Sequence, residues 1–202
     1  MNLRGPKAKI SRRLGIAVTQ KVQKVLDRRA YPPGQHGPTT RNPEPKSVYG
    51  KQLREKQRLR AQYNVSEKQL RTYYAKAVRS TSPTGEALVS TLESRLDAVI
   101  YRSGFARSIF AARQYAAHGH FEVNGRRVTI PSMLLRAGDV VQLRQPSREC
   151  ATFQDPRLEQ QTVPEHLLVD RAEFKTTVQR KASATEAPIV CNISMVVEFY
   201  SR

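Results

Sequence analysis

Four arginines and two histidines fall close together in the middle of the chain: Arg107, Arg113, His118, His120, Arg126 and Arg127. A guanidinium is a planar fork that grips phosphate with two parallel hydrogen bonds and stacks on bases, which lysine cannot do. An imidazole at neutral pH hydrogen-bonds a phosphate or a 2′-hydroxyl and also stacks. His118 and His120 flank Gly119, and neither cysteine nor an acidic cluster stands nearby to complete a metal site. The chemistry offered is recognition of a polyanion; a purely structural turn is the alternative for the two histidines.

A second set of cations lies upstream. It comprises Arg12 and Arg13, Lys21 and Lys24, Arg28 and Arg29, then Lys51, Arg54, Lys56, Arg58 and Arg60, and Arg71. On one helix, positions 51, 54 and 58 align, so a cationic stripe is expected rather than a ring. Tyr31 and Tyr49 interleave with this charge as stacking candidates, whereas Tyr73 and Tyr74 read as core.

The distribution of charge supports this reading. The 202-residue chain carries 35 Lys and Arg against 17 Asp and Glu, a formal net charge of +18. Residues 1–80 hold 20 basic and 4 acidic groups, a balance of +16, and residues 92–148 hold nine Arg, no Lys and four acids. Residues 149–202 come to −2. Solvated surfaces mix signs, and the first 80 residues do not. Nucleic acid is therefore the expected partner, ahead of membrane headgroups and acidic proteins. Apolar runs such as Ala98–Tyr101 are four residues long, far short of the ~20 that span a bilayer. The basic N-terminus has no apolar stretch behind it, so no secretory signal and no membrane partner are expected. Cys150 and Cys191 match neither a metal knuckle nor a disulfide framework.

Enzyme signatures are missing from the sequence: no phosphate loop with a following Lys, no nucleophile elbow, no His-Glu-x-x-His. Glu93 and Asp97 resemble a carboxylate pair at i, i+4, but with Arg95 beside them they read as ion-pair partners at a surface or between domains. His166 stands alone and takes no role. No small-molecule substrate and no cofactor are implied.

The elements that position these groups follow from periodicity. Prolines and glycines punctuate residues 1–45, which read as a basic arm with one short amphipathic helix through Val18, Val22, Val25 and Leu26. Lys51–Tyr63 reads as a helix. Ser66 and Gln69 form a capping-box pattern for the next, whose buried face is Leu70, Tyr73, Tyr74, Ala77 and Val78. Leu88, Val89, Leu92, Leu96, Val99 and Ile100 predict a single third helix stopped at Gly104. Ser108 caps a short helix ending before Gly119. Asn124-Gly125, between alternating Phe121/Val123 and Val128/Ile130, predicts a hairpin, and Val140–Leu143 a further strand. A second hairpin is expected around 167–169 and 176–179, and Met195–Tyr200 is a closing apolar run.

The motif Leu92-Glu93-x-Arg95-Leu96-Asp97, then Arg107-x5-Arg113-Gln114-x3-His118-Gly119-His120, then Val123-Asn124-Gly125 and Ile130-Pro131-Ser132, resembles the RNA-binding domain named after the fourth protein of the small ribosomal subunit. Pro33-Gly34-Gln35-His36-Gly37, Leu53-Arg54-Glu55-Lys56-Gln57, Thr84-Gly85-Glu86 and the ending Val197-Glu198-Phe199-Tyr200-Ser201-Arg202 extend the resemblance to the bacterial-type family over essentially the full length. The resemblance implies an α+β fold. A basic arm (1–45) precedes a helical domain (46–88 with 182–202), into which an RNA-binding module (89–181, core 92–148) is inserted. It implies binding to a five-way junction in the 5′ domain of 16S-type rRNA early in small-subunit assembly. It also implies a place near the mRNA entry channel, influence on decoding accuracy, contact with the fifth small-subunit protein and with mRNA, and a cytoplasmic ribosome, an organellar one being the alternative. Some relatives repress their own translation or help unwind mRNA. The rRNA-binding set expected is Arg12, Arg13, Lys21, Lys24, His36, Lys51, Arg54, Lys56, Arg58, Arg71, Arg95, Arg107, Arg113, His118, His120, Asn124, Arg126 and Arg127.

Some members of the family hold the arm with a cysteine-ligated zinc; residues 1–149 here contain no Cys, and Ser94 and Ala98 replace the usual Gly and Asn. An RNA-modifying or aminoacylating enzyme carrying the module as an accessory would need a catalytic domain for which the remaining chain is too short. A small stress-type RNA chaperone would lack the helical scaffold and the arm. Metal independence follows from the missing cysteines. Chelator treatment should leave the melting temperature and RNA affinity unchanged, whereas stoichiometric zinc lost together with structure would contradict it.

Overall fold

Asn124 and Gly125 both take positive φ, +50° and +74°, the pair of left-handed residues that a type I′ turn requires. In the computed structural model, which describes residues 5–40, 45–155, 158 and 162–201, that turn joins β1 (Phe121–Val123) to β2 (Arg126–Arg127). β3 (Val140–Leu143), β4 (Leu167–Asp170) and β5 (Lys175–Val178) complete an antiparallel sheet in the order β2-β1-β3-β5-β4. Phe121 pairs with Leu143 and Val123 with Val141, so alternate residues of β1 and β3 point together into the core. The expected strand through Val128 and Ile130 stops at Arg127. Beyond it the chain turns away to supply the carbonyls of Pro131 and Met133 to a helix, and Ile130 is exposed.

Eight helices accompany the sheet among the described residues: α1 (Lys7–Leu14), α2 (Gln20–Arg28), α3 (Val48–Tyr63), α4 (Glu67–Val78), α5 (Thr84–Glu93), α6 (Leu96–Arg102), α7 (Ile109–His118) and α8 (Ile193–Ser201). By contacts the chain divides into two compact units, Met1–Gly85 with Pro188–Arg202, and Glu86–Ala187. The N-terminal segment differs from its sequence reading. It holds two helices, not one, and Leu14, Ile16, Val18 and Val22 are buried. α1 packs on α3, and Arg58 Nε donates to the Leu14 carbonyl at 2.8 Å. Sparse apolar residues hid this because the partner surface lies more than 30 residues further along the chain.

In the first unit α8 lies along α3. Gln52 Nε2 donates to Glu198 at 2.9 Å, and the Gln62 side chain bonds both the amide and the carbonyl of Val190. α4 starts at the capping box, with Gln69 N donating to Ser66 Oγ and Ser66 N to Gln69 Oε1.

The predicted third helix is two helices. The break falls at Ser94-Arg95, where Arg95 adopts an extended backbone and bridges Leu134. The amides of Leu96 and Asp97, orphans at the start of α6, donate to Met133 O and Pro131 O, and Leu135 N donates back to Ser94 O at 2.7 Å. Apolar spacing runs on in phase across the break, so periodicity alone could not find it.

Burial of charge makes the break worthwhile. Arg95 and Asp97 are both fully buried and joined by two hydrogen bonds, 2.9 and 2.5 Å, and Arg113 from α7 reaches the same carboxylate at 3.2 Å. Glu93, equally buried, pairs with Arg102 at 2.7 Å. Glu93 and Asp97 are thus structural ion-pair partners, inside one unit rather than at a surface. Removing one member of a buried pair strands its partner at a cost of about 3–5 kcal/mol. Asp97→Asn should therefore lower the unfolding free energy by that order in a denaturant titration, and a change below about 0.5 kcal/mol would refute the ion-pair account.

Candidate nucleic-acid interface

α7 begins with Ser108 Oγ accepting from Ala111 N and ends at Gly119, whose φ of +73° turns the chain directly into β1. The left-handed backbone there calls for glycine, and the absence of a side chain lets Arg127 lie close. A Cβ at this position would only make the exposed Arg127 guanidinium move aside. Arg127 Nη2 approaches the His118 carbonyl at 3.4 Å. The His118 and His120 rings are 6.1 Å apart. Arg126 is exposed at the end of the hairpin, as are Arg127 and His118. The helix end, the strand start and the hairpin therefore bring His118, His120 and Arg127 to one corner, while Arg126, opposite Val123, is exposed on the other face of the hairpin.

The corner is built before any ligand arrives. His120 Nδ1 is hydrogen-bonded to Ser147 Oγ at 3.0 Å, and its ring meets Tyr115 and Phe153 edge-on. Arg144 N donates to His120 O at 2.9 Å. Burial, and then the charges of His118, Arg144 and Arg127, hold the His120 pKa below the ordinary imidazole value. The Asn124 side chain is spent on the turn: its Nδ2 donates to Asp139 Oδ1 at 2.8 Å and its Oδ1 accepts from Val140 N at 2.9 Å.

Other members of the predicted set stand elsewhere or face inward. Arg95 cannot touch RNA from its fully buried position; the sequence showed an arginine and not the carboxylate that holds it inside. Lys56 is also buried, paired with Glu67 at 3.0 Å and lying 4.0 Å over the Phe199 ring, so it is a structural cation. Arg113 is oriented by Asp97, and Arg107 forms an ion pair with Asp155. Arg12 donates to the carbonyls of Tyr31 and Pro32, both at 3.0 Å, and lies over the Tyr31 ring; it fastens a loop rather than sweeping through solvent. The stripe of 51, 54 and 58 survives only at Lys51. Arg58 is taken by Leu14 O and Glu55, and Arg54 and Arg58 lie half-buried beside Gly15. Arg13, Lys21, Lys24, His36 and Arg71 are exposed. Of the aromatic residues, Tyr31 and Tyr49 are exposed, Tyr73 is core, and half-buried Tyr74 packs on Tyr200. His166, which the sequence left alone, is buried with Nδ1 3.2 Å from Glu186.

Arg144 is the residue that sequence reading missed. It follows the last residue of β3, and since Leu143 pairs with Phe121, the next step along puts it opposite His120. The strand alternation and the hairpin register were enough to find it.

The cationic surroundings give the corner a pH signature. Burial is the larger cause of the depressed His120 pKa and the neighbouring cations the smaller; a phosphate placed there offsets the cations and pairs with the imidazolium, so binding raises the pKa and takes up a proton. Affinity for RNA should then rise as pH falls from 7.5 towards 5.5, and His120→Gln should flatten that dependence. Identical pH profiles for the parent and the variant in a binding titration would exclude His120 from the interface.

Comparison with known sequences agrees with this geometry. A family model described as the ribosomal protein S4/S9 N-terminal domain matches residues 2–93, and one described as the S4 domain matches residues 94–141. The small ribosomal subunit protein uS4 of Streptomyces avermitilis is 45% identical over 201 residues, covering 98% of this chain and 97% of that protein. The proteins of the same name from Bifidobacterium adolescentis and Micrococcus luteus are 44% and 43% identical, over 96% and 95% of this chain and 95% and 94% of their own lengths. With the α+β architecture, the S4 domain and this identity along nearly the whole chain in hand, the protein belongs to the uS4 family of small ribosomal subunit proteins, a family of structural ribosomal proteins and not of enzymes.

Proposed function

We propose that the chain is a primary rRNA-binding protein of the small ribosomal subunit, which recognises a multi-helix junction in the 5′ domain of 16S-type rRNA early in assembly. The observation that carries this reading is the exposed corner of His118 and Arg127, backed by His120 and Arg144 and held by the end of α7, the Gly119 turn and the β1–β2 hairpin. The wide minor groove of an RNA helix is recognised by shape, phosphate and 2′-hydroxyl contacts. Several donors fixed relative to one another suit a junction, where phosphates of different helices converge. Exposed Arg13, Lys21, Lys24 and Lys51 in the other unit add charge neutralisation of lower specificity.

A place near the mRNA entry channel, an influence on decoding accuracy, contact with the fifth small-subunit protein and a cytoplasmic ribosome belong to the same proposal and rest on family membership. The exposed cations of the first unit are compatible with RNA contacts beyond the junction.

Two substitutions on the full chain test the division of roles. Arg127→Ala should weaken binding to the junction by about 1–3 kcal/mol more than binding to random RNA of equal length. Arg13→Ala should weaken both equally and reduce the salt slope by about one. An unchanged junction-to-random ratio for Arg127→Ala would remove the corner as the source of specificity.

A further inference from the structure

Between α4 and α8 lies an open groove of about 510 Å³, bounded by Arg71, Tyr74, Val78 and Arg79 on one side and by Phe199 and Tyr200 on the other. Positions 71, 74, 75, 78 and 79 share one face of α4 by helical spacing. The rings there are fixed in place. Tyr74 and Tyr200 have centroids 4.9 Å apart, Phe199 and Tyr200 meet edge-on at 5.5 Å, and the Tyr200 hydroxyl donates to Glu67 at 2.7 Å. Lys56 lies beneath them, 4.0 Å from the Phe199 centroid and 5.6 Å from that of Tyr200. Glu67 is in turn held by Lys56 and Arg60.

The rim has the opposite character. Arg71 and Arg79 are exposed, their guanidinium groups make no hydrogen bond or ion pair among the described residues, and they stand about 12 Å apart along the helix. Val78, between them, is 53% exposed and so lies off the buried face on which its spacing placed it. The outer surface of α4 adds Lys68 and Lys76, and the one carboxylate of the helix, Glu67, is already engaged by Tyr200, Lys56 and Arg60.

We propose that this groove takes bases of a single-stranded RNA segment, which pack against the Tyr74 ring and the edges of Tyr200 and Phe199, whose faces Lys56, Tyr74 and Tyr49 already cover, while flanking phosphates meet Arg71 and Arg79. The inference rests on the reading of the chain as an RNA-binding protein and adds a second, sequence-tolerant site in the other unit. Aromatic floors with cationic rims bind single strands because every base has a face to stack and every nucleotide carries a phosphate. An acidic peptide would satisfy the two arginines but gain little from the rings. Two helix faces also present no free backbone amides with which to pair a peptide strand. Because the rings are already ordered by Glu67 and Lys56, little side-chain entropy is lost when a base arrives.

The test uses the full chain and three probes: hexauridylate carrying 4-thiouridine, an abasic hexamer of the same backbone, and hexaglutamate. Irradiation should cross-link the 4-thiouridine to Tyr74, Phe199 or Tyr200. The abasic hexamer should bind about tenfold more weakly than hexauridylate. Val78→Glu, at an exposed position where the fold has no stake, should weaken hexauridylate about tenfold while leaving junction binding intact. Arg71→Gln combined with Arg79→Gln should also weaken hexauridylate about tenfold, and should lower junction and random-RNA binding alike so that their ratio is unchanged. Unaltered hexauridylate affinity in Val78→Glu, cross-links confined to other residues, or hexaglutamate displacing hexauridylate from the groove would each overturn the proposal. Loss of junction preference in the parent chain would instead refute the reading of the RNA-binding corner, independently of the groove.

Discussion

A single buried carboxylate organises the helices of the second unit, Glu86–Ala187. Asp97 sits fully inside with Arg95 and also takes Arg113 from α7, so three side chains from two helices and the connecting bend share one charge cluster. Such a cluster is costly to desolvate and tolerable only when its hydrogen bonds are complete. Completing them dictates much of the local structure. Arg95 must leave the helical path to reach Asp97, which ends α5 at Glu93 and opens the backbone of residues 94–97 to the loop 131–135. Arg113 ties α7 to α6, and the direction of α7 sets where Gly119 delivers the chain into β1.

The corner of His118, His120, Arg127 and Arg144 is therefore positioned from within. His118 and Arg127 are exposed, and half-buried Arg144 is paired with Glu122 of β1 at 3.3 Å; the elements carrying them are fixed by apolar packing of Phe105, Phe121 and Phe153 and by the Asp97–Arg113 pair. Rigid placement is what separates recognition of shape from simple attraction to phosphate. In the other unit the corresponding organiser is Glu67. Burial disfavours its charge, yet the Tyr200 hydroxyl, Lys56 and Arg60 outweigh that and hold its pKa below the ordinary carboxylate value. Burial, and then the hydrogen bond to Glu67 and its charge, push the Tyr200 hydroxyl up. α8 is fastened to α3 and α4 through this cluster and through Gln52–Glu198.

Local signals were legible in the sequence, and distant ones were not. Asn124-Gly125, the Ser66–Gln69 box, Ser108 and Gly119 each specify a backbone conformation through their own chemistry, and each occurs where that chemistry placed it. The break at Ser94-Arg95 was hidden because the apolar series from Leu88 to Ile100 keeps helical phase across it. Arg95 and Lys56 were read as contacts because arginine and lysine are rarely buried; only the fold supplies Asp97 in the right orientation and Glu67 with Phe199 around the lysine. Arg144 was overlooked although the hairpin register places it beside His120. The helix α1 and the burial of Leu14, Ile16 and Val18 depend on α3, which no short window contains.

Hydroxyl-radical footprinting of the full chain, with and without the rRNA junction, tests the central claim most directly. The account predicts that His118 and His120 are shielded from oxidation on binding while exposed Leu168, on the edge strand β4, reacts as before. Protection of Leu168 with no change at His118 and His120 would place the RNA on the other end of the sheet and contradict it.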